Sequence, residues 1–93
     1  MADDKPDYVT EGEGFADVAL TRPFDLAGAP VSVIRMREPT VADQLAADAV
    51  KGSEAAKEIA FFANLAEVAP DDLKRLPLKD YRRLQVAFAG FIV

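Results

Sequence analysis

The chain has 93 residues, 51% hydrophobic and 29% charged, with no cysteine and no histidine. That length suits one small core, and the missing residue types exclude disulfides, thiol catalysis, a histidine base and zinc sites built on thiolate or imidazole. The formal net charge is −5, of which residues 1–14 carry −4 (Asp3, Asp4, Asp7, Glu11 and Glu13 against Lys5), so the nearly neutral remainder has no broad cationic face for a phosphate backbone and nucleic acid is not an expected partner.

In residues 1–14 large apolar side chains are few and Pro6, Gly12 and Gly14 interrupt any period, which predicts a disordered acidic tail. The first residues carry acids where a secretory signal carries bases, and no apolar run approaches the roughly 18 residues that span a bilayer. A cytoplasmic location and no membrane partner are expected. A single domain over 15–93 should follow, of the α+β class. Val18, Leu20 and, past Arg22, Phe24 recur at alternate positions, the period of a strand with one buried face. Ala27-Gly28-Ala29-Pro30 supplies a turn, and Val31 to Arg37 forms a second strand with Ile34 and Met36 on one face. The resulting hairpin, about 15–37, is too small to stand alone and needs its apolar face covered.

The remainder reads as three or four packed helices. Pro39 ends the strand, and Thr40 with Asp43 has the shape of a capping box, opening a helix over about 41–51 that stops near Gly52. Ser53 caps the next, about 54–67, where Ile59, Phe62, Ala63 and Ala66 form a stripe that Phe61, Leu65 and Val68 widen. Pro70 with Asp71 and Asp72 starts a short helix, about 70–75. The last, about 78–91, carries Tyr81, Leu84, Phe88 and Phe91 on one face. Lys74, Arg75, Lys79, Arg82 and Arg83 fall mostly on the wet side of these last two helices.

Candidate chemistry is sparse. Ser32 lies on a strand and Ser53 caps a helix, neither with a base in view. Glu11-Gly12-Glu13-Gly14 lacks the spacing and lysine of a phosphate loop and reads as linker. Asp71 and Asp72 point about 100° apart on a helix and are accounted for by its dipole. The aromatic set Phe61, Phe62, Tyr81, Phe88 and Phe91 has the spacing of a helix-helix core. No catalytic, cofactor-binding or metal-binding residue, no small-molecule substrate and no enzymatic activity is therefore expected.

Two stretches carry a resemblance. Met36-Arg37-Glu38-Pro39-Thr40-Val41-Ala42-Asp43, directly after a strand, resembles the Arg-x-Pro-Thr-x-x-Asp segment of the Mu-like bacteriophage tail assembly chaperones. Ala63-Asn64-Leu65, followed by the run Pro70 to Gln85, is similar to that family's asparagine-leucine, proline-acid-leucine turn and aspartate-aromatic-leucine-glutamine helix. The resemblance covers about Phe15 to Phe91. It implies a non-catalytic role in contractile-tail assembly, in the cytoplasm of the bacterial host: coating the long helical tape-measure protein and keeping it soluble until tube subunits polymerise around it. A structural tail or baseplate component and an unrelated small adaptor are the alternatives.

Two residue sets follow from this reading. Arg37, Pro39, Thr40 and Asp43 sit at the junction between hairpin and helices, where a structural role accounts for them. Phe88, Phe91, Ile92 and Val93 put large apolar side chains at a chain end, a place that is commonly polar and frayed, and so mark a surface to be covered. The candidate covers are the hairpin's open face, a second copy of the chain, or the tape-measure protein.

Overall fold

The alternation of apolar residues builds the sheet, and the helical stripes cover one of its faces. In a computed structural model, which describes residues 6–93, the element order is β1 (Val9–Gly12), β2 (Phe15–Leu26), β3 (Ala29–Arg37), α1 (Val41–Asp48), α2 (Glu54–Ala66), α3 (Pro70–Lys74) and α4 (Leu78–Phe91). The sheet is antiparallel in the order β1-β2-β3. α4 lies along β2, α2 along β3, and α1 and α3 pack on α2. This is the expected α+β arrangement of a hairpin followed by helices, with α1 ending sooner than predicted because Ala49 and Val50 close its last turn onto Leu45 and Ala47.

The sheet has one strand that the periodicity did not signal. Within the stretch expected as tail, Val9 pairs with Val18 and Gly12 with Phe15, and Glu13-Gly14 makes the turn, with φ +84° at Gly14. A side chain at Gly12 would run into the Phe15 ring. Glu11 to Gly14 is thus a strand end and hairpin turn instead of a linker. Residues 1–5 of the expected tail lie outside the described residues.

Val9, Ala16, Val18, Leu20, Ile34 and Met36 from the sheet's inner face meet Phe62, Ala63 and Leu65 of α2, Leu73 and Leu76, and Leu84 and Ala87 of α4. On the outer face Arg35 donates to both carboxylate oxygens of Asp17 (2.7 and 3.0 Å) and lies 3.9 Å from the Phe15 ring centre, which shields that ring. Asp17 and Arg35 are cross-strand neighbours, and the Arg35 guanidinium holds the Asp17 carboxyl below the usual carboxylate range.

The β2–β3 turn places both Ala27 (φ 54°) and Gly28 (φ 87°) in the left-handed region. Paired positive φ values give the twist that a two-residue hairpin needs, but alanine's Cβ makes its conformation costly there. Ala27→Asn should therefore stabilise the fold by roughly 0.5–1 kcal/mol, read as a rise in urea midpoint at unchanged slope. A variant no more stable than the parent would remove the strain from Ala27.

Candidate functional site

The junction between sheet and helices is organised by one carboxylate. Thr40 caps α1: its Oγ1 accepts from Asp43 N–H (3.2 Å), while Asp43 Oδ2 accepts from Thr40 N–H (2.9 Å) and from the Thr40 hydroxyl (3.1 Å). Aspartate thus closes a capping box in which glutamate is the usual partner. The Arg37 guanidinium, at the end of β3, donates to both Asp43 oxygens (2.7 and 2.8 Å), and Asn64 Nδ2 of α2 donates to Oδ1 (3.1 Å). Asp43, only 8% exposed, therefore ties together β3, α1 and α2. The Arg37 bonds, then the Thr40 N–H, hold its carboxyl well below the usual carboxylate range. The two separated stretches that carried the resemblance meet here, through Arg37, Asp43 and Asn64.

A second polar tie was not visible in the sequence. Between Ala19↔Val33 and Phe24↔Val31 the register jumps, so that residues 20–23 stand opposite Ser32 alone. The backbone groups freed by this bulge need partners. Asp80 supplies one: fully buried in the first turn of α4, it accepts from Thr21 N–H (2.8 Å) and the Thr21 hydroxyl (3.1 Å). Arg83 Nη1 donates to the Ala19 carbonyl (2.8 Å) and lies 4.3 Å from the Tyr8 ring centre. Arg83, read as part of a solvated basic face, is instead a clamp on the sheet.

The C-terminal aromatic set divides. Phe88 is half-buried, with its ring centre 5.2 Å from Phe61 and 5.3 Å from Phe62. With Ile92 it lines a groove of about 390 Å³ between α1, α2 and the end of α4. Gln44, Ala47 and Asp48 form its α1 wall, and Glu54, Lys57, Glu58, Phe61 and Phe62 its α2 side. Glu58 Oε1 accepts from the Tyr81 hydroxyl (2.7 Å) and from Gln85 Nε2 (2.9 Å). Burial and that carboxylate push the Tyr81 phenol above its usual range.

Phe91 turns the other way, toward Gly12, Gly14 and Phe15 of the first hairpin, where it is half-buried. This neighbour is the β1–β2 turn, which the sequence reading did not include, and not the face of the hairpin over about 15–37 that was considered as a cover. Ile92 (66% exposed) and Val93 remain open to solvent. So do Val41 (78%) and Leu45 (65%) on α1, one turn apart, a pair that the sequence reading did not single out. Both follow a cap and point away from Asp43 and Ala47, the buried residues of that helix.

Among the described residues no group of three or more His, Cys, Asp or Glu side chains could hold a metal ion, and no helix is long and apolar enough to cross a membrane. The family model for phage tail assembly chaperone proteins, E, or 41 or 14, matches residues 17–93. No curated protein and no solved structure matches the chain.

Proposed function

The chain belongs to the phage tail assembly chaperone family, and from that membership we propose that it binds the tape-measure protein of a contractile tail in the host cytoplasm and keeps it soluble while the tube assembles. Its role is non-catalytic. The observation that carries this reading is a set of exposed apolar side chains: Val41 and Leu45 on α1, Ile92 and Val93 past the end of α4. A long amphipathic helix without its tube exposes continuous apolar surface, and an apolar face on a small folded partner is the complement it needs.

Co-expression with the tape-measure protein tests this. The protein should be recovered with its partner in the soluble fraction. Replacing both Val41 and Leu45 with Asp should reduce that recovery at unchanged far-UV circular dichroism, because both side chains are already in water in the free chain. Capture by the double variant at the parental level would remove α1 from the contact; a tape-measure protein equally soluble with and without the chain would overturn the function. Mass spectrometry of finished particles adds a second reading, since a chaperone is depleted there and a structural tail or baseplate subunit is present in fixed proportion.

A further inference from the structure

Two surfaces of this molecule complement each other. The first is the groove, floored by Phe61 and Phe88, with Asp48 and Glu54 on its rim. Both acids are exposed, and neither side chain has a hydrogen-bond or ion-pair partner among the described residues. The groove's cation, Lys57, is turned to the Asp48 carbonyl (3.4 Å) at the end of α1. The second surface is the outer face of α4. Leu78, Arg82 and Val86 follow at four-residue spacing and Lys79 stands beside them, so at 100° per residue the four occupy an arc of about 100°. They lie opposite the buried Asp80, Leu84 and Ala87. Leu78 is 65% and Val86 42% exposed, and Lys79 and Arg82 are both exposed.

We propose that copies of this chain associate head to tail, the Leu78–Val86 face of α4 in one copy seating in the groove of the next. Apolar side chains then meet the aromatic floor, and Lys79 and Arg82 meet Asp48 and Glu54. The like-with-like alternatives are disfavoured by charge: groove against groove sets acids on acids, and α4 against α4 sets cations on cations. Nor can one copy satisfy itself. The groove is formed at the C-terminal end of α4, by Phe88 and Ile92, and the stripe begins at Leu78, roughly 15 Å away along one rigid helix. Such an interface is heterologous and leaves one free groove and one free stripe at the ends of every open assembly, so it grows by further addition until it closes into a ring or extends as a filament. This concerns contacts between copies and does not depend on which tail protein the family member serves.

Analytical ultracentrifugation of the full chain tests it. The average mass should rise over a roughly hundredfold range of concentration and fall as ionic strength increases. Asp48→Lys with Glu54→Lys, and separately Lys79→Glu with Arg82→Glu, should each weaken self-association by about tenfold or more. The mixture of these two double variants is the sharpest reading: the intact stripe of the first fits the intact groove of the second, and the reversed groove of the first likewise complements the reversed stripe of the second, so mixing should restore the association that each variant has lost alone. All four substitutions are at exposed positions, and circular dichroism checks that each variant is folded; Glu54→Gln and Lys79→Gln give the same effects in smaller steps where a reversal is not tolerated. A parental chain that stays monomeric throughout, self-association untouched by either pair, or folded variants whose mixture regains no association would overturn the proposal. So would a monomeric parent whose groove reversal abolishes capture of a tail protein, which would assign the groove to that partner.

Discussion

Phe62→Ala should cost the protein about 3–5 kcal/mol, a large share of the roughly 5–15 kcal/mol that holds a small domain together. Phe62 is 1% exposed and stands between the two helices that cover the sheet, its ring centre 5.3 Å from Phe88 and 5.6 Å from Tyr81. Truncation removes those contacts and leaves a cavity that α2 and α4 cannot close, since each is already held to a different strand by its own packing. In a chain of this length the thermal midpoint should fall by roughly 15 °C or more, and the groove loses part of its α2 side together with the fold. Leu78→Ala is the control, because that side chain is mostly in water and its removal should leave stability within about 0.5 kcal/mol. A Phe62→Ala protein destabilised by less than about 1 kcal/mol would mean that the aromatic cluster is not the centre of the core.

What could be read from the sequence was what local pattern and local chemistry decide. The two-residue period of Val18 and Leu20, the stripe of Ile59, Phe62, Ala63 and Ala66, and the caps at Thr40 and Ser53 all act over a few residues, and the structure places each in the element assigned to it. What stayed hidden depends on pairings distant in the chain. β1 offers the core a single buried apolar residue, Val9, and is a strand because Phe15 to Val18 supplies its ladder. Asp80 entered only as part of the aspartate-aromatic-leucine-glutamine resemblance, and nothing local to it points to its bonds to Thr21, far away in sequence on the bulge. The exposure of Val41 and Leu45 was hidden for the opposite reason. A helix assignment says which residues share a face but not that the neighbour covering that face is missing.

The same distinction bears on the junction. Capping alone gives Thr40→Ala a cost of roughly 1 kcal/mol, and a Thr40→Ala chain that kept its melting temperature yet lost its partner would turn the segment from a structural into a contact site. Asp43 does more than cap. Its carboxylate accepts from Arg37, from Thr40 and from Asn64, and removing it leaves the half-buried Arg37 without its ion-pair partner. Asp43→Ala should therefore lower the melting temperature by more than twice the shift of Thr40→Ala, and Asn64→Ala by less than either, since it removes one bond from an exposed amide.

Acid gives an independent reading of the same carboxylate. Because its native pKa lies below the unfolded value, the charged form favours the fold. Its contribution is complete above the unfolded pKa of about 4 and is lost as pH falls through the native value, where the folded protein must take up a proton that the unfolded chain already holds. Parental stability should thus fall on acidification below about pH 4, and Asp43→Asn, less stable at neutral pH, should show a shallower fall over the same range. If the two chains lose stability in parallel, the acid response belongs to other carboxylates, and the Arg37–Asp43 bonds do not hold the hairpin to the helices.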